Sequence, residues 1–287
     1  MPPPASPTVA SWELVHRLRE RRQEAGVEVR TITQALGFSR NYWSAVENGR
    51  AILSEEKLTR LLELLEFDHD EQQELLELRE TARQRGWWTR YSGLFGTEQL
   101  RLYGLEYGAQ SIRAYESLLI PGLLQTADYA KALISDNVTV PKVEVDQRVE
   151  VRMRRQERLV GEDPLEFTAV ISQAALLQEI GGSAVLRSQL RHVANMIEQH
   201  PNTIEVRVIP FTAKACGLFG VGTFHLLDFM SSRLRTLAWH ETVTVQNIID
   251  DPTQVRDLLT SYNDALERTV SAEDSLRLIR QRVRELA

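Results

Sequence analysis

Hydrophobic residues recur every three or four positions through the first 80 residues, which is the spacing typical of amphipathic helices. Polar and charged residues fill the positions between them, so each helix has one apolar face. This pattern predicts an all-α N-terminal domain of five short helices over residues 9–80. The five predicted helices occupy residues 9–25, the two halves of 26–49, a stretch that starts at Glu55, and a stretch opened by Asp68 or Asp70.

The two helices within residues 26–49 are joined by a tight turn. Ile32 and Leu36 lie on one face of the first helix. Gly37 is predicted to end that helix, because glycine accepts the left-handed conformation of a sharp C-terminal turn. Ser39 is predicted to open the second helix, because its hydroxyl can accept a hydrogen bond from an unpaired amide. This order is typical of a helix-turn-helix, whose second helix reads DNA in the major groove.

The second half of the chain has a different pattern, with short apolar runs bounded by turn residues. Ser183 and Pro201 bound a predicted helix between the first two runs, which indicates a strand–helix–strand crossover. The later two runs are spaced as a hairpin. We therefore predict an α+β or α/β domain with a small sheet of about four strands. The predicted strands are residues 165–171, 204–210, 222–228 and 234–239.

Between these two regions the chain is rich in aromatic residues and glycine. Helical patterns cover residues 97–115, 128–134 and 145–159. We interpret this middle region as a helical linker leading into a regulatory domain. The predicted organisation is a disordered proline-rich lead at 1–8, a helix-turn-helix domain at 9–80, the linker and start of the regulatory domain at 81–160, and an α/β regulatory domain at 161–287.

The helix-turn-helix resembles the lambda-repressor-like (Xre-type) domains. Leu36, Gly37, Ser39, Glu47 and Gly49 stand where that family places the same residue types. The resemblance implies a five-helix domain that contacts bases and phosphates. Val29 departs from the family, which usually has glutamine there, and Trp43 replaces a smaller aliphatic residue. The implied DNA-binding residues are Ser39, Arg40, Asn41, Tyr42, Ser44, Ala45, Asn48 and Arg50.

A second resemblance covers nearly the whole chain. Trp87-Trp88, residues 116–126 and Asp128-Tyr129-Ala130 are similar to motifs of actinobacterial Xre-type regulators whose C-terminal half is a domain of unknown function. The resemblance implies transcriptional regulation, commonly with a small protein encoded by a neighbouring gene. It does not imply a particular ligand.

The aromatic and apolar residues near this motif permit two interpretations. They either pack in the core and the linker, or they line a groove for a protein partner or an effector. The arginines of residues 145–159 are likewise either a solvated helix face or a site for an acidic partner or a second phosphate contact. The predicted groove residues are Trp87, Trp88, Tyr115, Leu119, Leu123 and Tyr129.

The charge distribution bears on DNA binding. The chain of 287 residues has a net charge of −6, but residues 1–54 carry seven arginines against five glutamates, a net charge of +2. We expect the arginines of the first helix to point outward. Residues 55–80 have a net charge of −7. So small a positive charge predicts weak nonspecific affinity, which makes binding depend on dimerisation and base contacts.

Few residues suggest catalysis. His192, His200, His225 and His240 lack the spacing of metal ligands, and no neighbouring residue in the sequence marks Cys216 as a reactive thiol. The glycines of residues 217–222 do not match a nucleotide-binding loop. We therefore expect no enzyme activity, no cofactor and no metal. The lone cysteine and the lack of a long apolar run predict a cytoplasmic protein without a membrane span.

These observations predict a homodimeric transcriptional regulator that binds double-stranded DNA and whose C-terminal half binds a small protein or an effector. Two alternatives remain open. One is an antitoxin-like protein-interaction module that binds DNA weakly. The other is a small-molecule receptor in the C-terminal domain.

Overall fold

A computed structural model describes residues 3–242 and 245–287, and divides them into two compact units. The N-terminal unit comprises Pro4–Arg90 together with Ser231–Leu234. The C-terminal unit comprises Tyr91–Met230 and Arg235–Ala287. The boundary at residues 90 and 91 lies inside the predicted linker.

The N-terminal unit contains five helices, as the hydrophobic pattern predicts. Trp43 is 1% exposed, and it packs with Ile32, Leu58 and Leu75 in one hydrophobic core shared by the helices. The helices are α1 (Pro7–Glu24), α2 (Val29–Leu36), α3 (Arg40–Glu47), α4 (Glu55–Leu64) and α5 (His69–Ala82).

Local capping explains where these helices begin. The side chains of Ser39, Ser54 and Asp68 each accept a hydrogen bond from the amide three residues later, at 3.1, 3.4 and 2.8 Å, so the predicted caps at Ser39 and Asp68 are confirmed. Helix α1 begins at Pro7, earlier than predicted, because Ser6 caps it. The disordered lead predicted at residues 1–8 is therefore too long, because Pro7 and Thr8 already belong to α1. Met1 and Pro2 lie outside the described residues.

The arginines of α1 bind neighbouring helices, so the expectation that they point outward is wrong. Arg17 is 5% exposed, and its Nη1 donates to a carboxylate oxygen of Glu74 on α5 at 2.9 Å. Arg21 Nε donates to the carbonyl of Leu65 at 3.0 Å, and its guanidinium carbon lies 5.5 Å from the centre of the Phe67 ring. Much of the positive charge of the first 54 residues therefore stabilises the fold.

The C-terminal unit is built on one six-stranded mixed sheet with the order β3-β2-β1-β4-β5-β6. Strands β1, β2 and β3 are parallel, whereas β4, β5 and β6 are antiparallel to their neighbours. The central strand is β1, in which Ala114 pairs with Ala169 of β2 and His225 of β4. The strands are β1 (Ser111–Glu116), β2 (Glu166–Ser172), β3 (Ile204–Ile209), β4 (Phe224–Asp228), β5 (Leu237–Glu241) and β6 (Gln246–Ile249).

The predicted sheet of about four strands is wrong by two. Strand β1 falls within residues 97–115, which the sequence pattern predicts to be helical. The helix there ends at Gly108, and the strand that follows has Ile112 and Ala114 buried on one face. A six-residue run directly after an apolar helix has no turn signal long enough to separate the two patterns. Strand β6 was missed because it is four residues long and begins with Gln246 and Asn247.

Six α-helices surround this sheet in the described part of the unit. The chain from β2 through α9 to β3 forms the predicted parallel crossover. Val208 on edge strand β3 donates its amide to Ser275 Oγ of α11 at 3.0 Å, so the last helix covers that edge. The helices are α6 (Thr97–Gly108), α7 (Ala127–Asp136), α8 (Val145–Gln156), α9 (Ser183–Gln199), α10 (Pro252–Glu267) and α11 (Ala272–Glu285).

Helix α10 covers one face of the sheet. Its Tyr262 is buried against Tyr115 of β1 and Phe224 of β4, and donates its hydroxyl to the carbonyl of Thr168 at 3.1 Å. Asp251 caps this helix, as the Asp-Pro pair at its start predicts. Within residues 3–242 and 245–287, no helix combines the length and apolar character needed to cross a membrane.

Candidate nucleic-acid interface

Helix α3 presents two faces with opposite character. Trp43 and Val46 are buried in the N-terminal core, whereas Arg40, Asn41 and Ser44 are exposed. Within the described residues, the side chains of Arg40 and Asn41 make no hydrogen bond or ion pair. A guanidinium can bind guanine O6 and N7, and a carboxamide can bind adenine N6 and N7. The first turn of α3 therefore offers two side chains able to read base edges.

Ser39 and Tyr42, also predicted to contact DNA, have additional structural roles. Ser39 Oγ accepts from the amide of Tyr42 at 3.1 Å, which fixes the start of the helix. The ring of Tyr42 is half-buried and packs 5.0 Å from that of Phe38. Lys57 Nζ lies 4.7 Å and 5.8 Å from the centres of the Phe38 and Tyr42 rings. These cation–π contacts hold a positive charge beside the start of α3.

The C-terminal end of α3 is fixed by a glycine turn. Gly49 has a φ of +65°, and the amide of Arg50 donates to the carbonyl of Ala45 at 2.8 Å. Asn48 Nδ2 donates to the carbonyl of Ser44 at 2.6 Å, so the amide group of Asn48 is engaged within the helix. Arg50 is exposed and free of side-chain partners in the described residues. The resemblance implies that Asn48 and Arg50 lie near phosphates, and of these two only Arg50 has an unengaged side chain in the described residues.

Two arginines of α1 clamp this end of α3. Arg19 Nη2 donates to the carbonyl of Glu47 at 2.5 Å, and Arg22 Nε donates to Glu47 Oε1 at 3.1 Å. Positive charge at a helix C-terminus is stabilising, because the last carbonyls carry partial negative charge. Sequence reasoning missed this role, since it counted both arginines toward the DNA-facing charge. The capped start and the clamped end together hold α3 in one orientation on the core.

The departures from the lambda-repressor-like pattern are both accommodated. Val29, which stands where the resemblance places glutamine, is half-buried and packs against the N-terminal core. Trp43 fills that core at 1% exposure, and its Nε1 has no hydrogen-bond partner among the described residues. The side chain of Val29 carries no donor for a phosphate. Val29 therefore cannot make the polar side-chain contact that a glutamine at this position would provide.

The motif and its immediate flank contain few cations. Residues 26–57 include four basic side chains, of which three are exposed without intramolecular side-chain partners in the described chain. The fourth, Lys57, contacts the aromatic rings of Phe38 and Tyr42. The four basic residues are Arg30, Arg40, Arg50 and Lys57.

The residues predicted to line a groove are largely buried. Trp88, Tyr115, Leu123 and Tyr129 are 3% exposed or less. The hydroxyl of Tyr115 donates to the carbonyl of Leu218 at 2.9 Å, so this ring belongs to the core beneath α10. Trp87 and Leu119 are half-buried. The prediction of one open groove made by these six residues is therefore wrong, because most of them fill hydrophobic cores.

Two arginines of residues 145–159, Arg155 on α8 and Arg158 just after it, are also structural. Arg155 Nε and Nη2 donate to the two carboxylate oxygens of Glu106 on α6, both at 2.8 Å. Burial acts to lower the pKa of Arg155, but the attraction of Glu106 outweighs it and raises that pKa. Arg158 donates to the carbonyls of Tyr107 and Ala109 at 2.8 and 3.1 Å. Arg155 and Arg158 are buried, so for these two residues both predictions are wrong: they neither form a solvated face nor offer a site for an acidic partner or a phosphate.

The buried side-chain amides of Gln125 and Gln189 hold the segment of residues 116–126 in place. Gln125 donates to the carbonyl of Ile120 at 2.7 Å, which closes the turn after Pro121. Gln189 of α9 donates to the carbonyl of Leu124 at 2.7 Å and accepts from the amide of Thr126 at 2.6 Å. The run therefore docks α7 and α9 to the end of β1, and its backbone groups are satisfied by side chains.

The histidines predicted to be non-catalytic are spread over several elements. His192 lies on α9, where burial lowers its pKa, and His225 and His240 lie on β4 and β5. No group of three or more side chains able to hold a metal ion occurs in the parts of the chain that the structure describes. The absence of enzyme activity stays a prediction.

Comparison with protein families agrees with this division. A family model described as Helix-turn-helix domain matches residues 13–75, and a model described as Domain of unknown function (DUF5753) matches residues 99–281. No curated protein and no solved structure matches the chain. The second match extends from α6 to α11 and covers more than half of the sequence. The chain therefore belongs to the family of the Domain of unknown function (DUF5753), and it carries a helix-turn-helix domain ahead of that region.

Proposed function

We propose that this protein is a sequence-specific DNA-binding transcriptional regulator of the actinobacterial Xre type, which reads its operator with α3. The observation that carries the proposal is the placement of Arg40 and Asn41. Both are exposed on the first turn of α3, and both lack side-chain partners in the described residues. The opposite face of the helix buries Trp43 and Val46, so the reading face is fixed by the core.

The proposal includes a homodimer on a symmetric operator. The four cations of residues 26–57 give one protomer little electrostatic affinity, and two protomers double the contacts. Recognition helices of such dimers bind half-sites about one helical turn of DNA apart. The recovered operator should therefore be palindromic, and light scattering of the purified chain should give twice the mass of one chain.

The C-terminal unit is assigned a binding role without catalysis, toward a small protein encoded by a neighbouring gene or toward an effector. Support for the protein partner comes from the resemblance carried by Trp87-Trp88 and residues 116–126. The lone Cys216 suits a cytoplasmic location. Size-exclusion chromatography of the chain mixed with the neighbour-encoded protein tests the partner. Separate elution of the two proteins contradicts it.

Selection from randomised DNA tests the main proposal. The full chain is incubated with a library of randomised duplexes, and the bound fraction is sequenced. Replacing Arg40 and Asn41 with alanine should abolish the enriched motif, because bidentate base contacts are worth about 1–3 kcal/mol each. Arg83→Ala is the matched control, since Arg83 is an exposed arginine at the end of α5.

Thermal unfolding of each variant distinguishes a loss of base recognition from a loss of folding. All three chains should unfold at similar temperatures, because the substituted side chains are exposed. An unchanged motif for the double variant would show that α3 does not read bases. That outcome favours the alternative, an antitoxin-like protein-interaction module, which the small number of free cations also supports.

A further inference from the structure

The carboxyl end of β1 carries a buried acid with incomplete hydrogen bonding. Glu116 is 7% exposed, and its Oε2 accepts from the hydroxyl of Thr223 at 2.7 Å. Its Oε1 lies 3.8 Å from Nε2 of His225, which is too far for a hydrogen bond. Both ring nitrogens of His225 are buried and have no partner among the described residues. Unsatisfied buried groups of this kind are rare in native proteins.

Arg152 of α8 brings a cation to the same end of the sheet. Its Nη1 donates to Gln125 Oε1 at 2.6 Å, and its other nitrogens make no hydrogen bond within the described residues. Gln125 is itself bonded to the carbonyl of Ile120, whose amide lies 3.5 Å from the hydroxyl of Tyr129. Arg152 therefore sits against the segment that directly follows Glu116, with N–H groups to spare.

Electrostatic effects agree with the link that Gln125 makes between Arg152 and the segment after Glu116. Burial lowers the pKa of Arg152 and Arg155 adds to the effect, while the carboxylates of Glu241 and Glu116 oppose it. Burial also raises the pKa of Tyr129, on which Glu116 and Arg152 act in opposite directions. Arg152 nevertheless keeps more accessible surface than the fully packed Arg155. Arg152 is thus partly exposed beside the segment that follows Glu116, whereas Arg155 is buried.

We propose that Arg152, Glu116 and His225 line a recess, with Gln125 holding Arg152 in place, and that this recess binds a small organic acid that also carries a hydrogen-bond donor, as amino acids and 2-hydroxy acids do. The unused N–H groups of Arg152 bind the carboxylate, because a guanidinium matches two oxygens at once. Glu116 Oε1 accepts from the amino or hydroxyl group of the ligand.

The local charge explains why a simple anion does not suit this site. Glu116 and Glu241 both repel an anion, so the ligand must also offer a donor to an acidic oxygen. The position agrees with a general rule for open α/β sheets, which bind ligands at the carboxyl ends of parallel strands. This inference goes beyond the DNA binding proposed above, because it names the chemical class of the effector.

Thermal unfolding of the full chain tests the recess. The probes are the L-amino acids and a set of 2-hydroxy acids over a concentration series, each compared with its amide. At least one acid should raise the unfolding temperature with saturation, and its amide should not. Arg152→Gln should weaken the apparent affinity by roughly tenfold or more, since hydrogen bonds to charged groups carry that much. Arg154→Gln on the same helix is the matched control and should bind normally.

Two further variants keep the test decisive. Arg152→Lys retains the charge but cannot make two parallel hydrogen bonds to a carboxylate, so it should bind the acid several-fold more weakly. This variant tests the site even if Arg152→Gln fails to fold. Glu116→Gln should weaken amino acids more than 2-hydroxy acids, because only the former present a positive charge. The recess is refuted if no acid shifts the unfolding temperature, or if both Arg152 variants bind as tightly as the unsubstituted chain. Operator binding is measured on the same samples, so this failure is distinguishable from failure of the proposed DNA reading.

Discussion

Arg22 and Glu47 join the first helix of the N-terminal unit to the end of the recognition helix, with Arg22 Nε 3.1 Å from Glu47 Oε1. Arg19 reinforces the connection through the carbonyl of Glu47. Neither arginine belongs to α3, the helix proposed to read DNA. The orientation of the proposed reading face of α3 therefore depends on two arginines that the sequence pattern predicts to point outward.

Replacing Arg22 with methionine should lower operator affinity without removing a DNA contact. The change frees the carboxylate of Glu47 and loosens the end of α3, at a cost of about 1 kcal/mol, or roughly fivefold in affinity. Fluorescence anisotropy with labelled operator measures the effect. Arg60→Met serves as the control, because Arg60 forms an exposed pair with Glu56 on α4. Equal affinities for both variants would mean that the clamp does not orient α3.

Operator binding should depend on salt only moderately. Residues 26–57 present four cations per protomer, of which Arg40 is assigned to bases. Three cations then remain for phosphates, so the logarithm of the affinity should fall against the logarithm of salt concentration with a slope of about −3 or shallower per protomer. Anisotropy titrations over a range of sodium chloride concentrations give this slope. A much steeper slope would show that cations outside the motif contact the phosphates.

The buried ion pair of the C-terminal unit should be sensitive to loss of one partner. Glu106→Gln leaves the guanidinium of Arg155 buried without its countercharge, which costs about 3–5 kcal/mol. Replacing Glu106 and Arg155 together by leucine and methionine should cost less than the single change, because no unpaired charge remains. Urea unfolding followed by circular dichroism measures both. A double variant less stable than Glu106→Gln would contradict this explanation.

Stability should fall at high pH because of Tyr115. Burial, with smaller effects from Cys216 and Glu116, raises the pKa of its hydroxyl from 10.0 to about 12. Between these values the unfolded chain loses the proton while the folded chain keeps it. The stabilisation is therefore complete below about pH 10 and disappears as the pH rises to about 12.

The Tyr115→Phe variant identifies this contribution. Urea unfolding at a series of pH values should show a shallower decline for the variant above pH 10.0, the ordinary pKa of tyrosine. Some decline should remain, because burial also raises the pKa of Tyr262. Identical declines for the two chains would show that the hydroxyl of Tyr115 already ionises in the folded protein.

Local signals predicted the N-terminal unit well. Gly37, Ser39 and Ser54 act through bonds to residues only a few positions away, so their effect is visible in the sequence. The exposed first turn of α3 follows from the same local geometry. The roles of Arg19 and Arg22 could not be predicted, because Glu47 is more than 20 positions distant and many other acids were available.

The C-terminal unit was harder to predict because its interactions are long-range. Strand β1 has the local composition of its helical neighbour, and it becomes a strand by pairing with β2 and β4. Arg155 faces inward only because Glu106, 49 positions earlier, provides its countercharge. The groove prediction failed for a related reason. Aromatic side chains near a motif do not reveal whether a helix such as α10 covers them.

The central position of β1 determines where the chain can be divided. A cut at residue 160, the boundary predicted from composition, removes β1 and leaves β2 and β4 with no strand between them. Each piece would then display bare amide edges, which invite aggregation of the products. A protease acting there, or a gene fusion joined there, should yield insoluble material. A division near residue 90 keeps all six strands on one polypeptide.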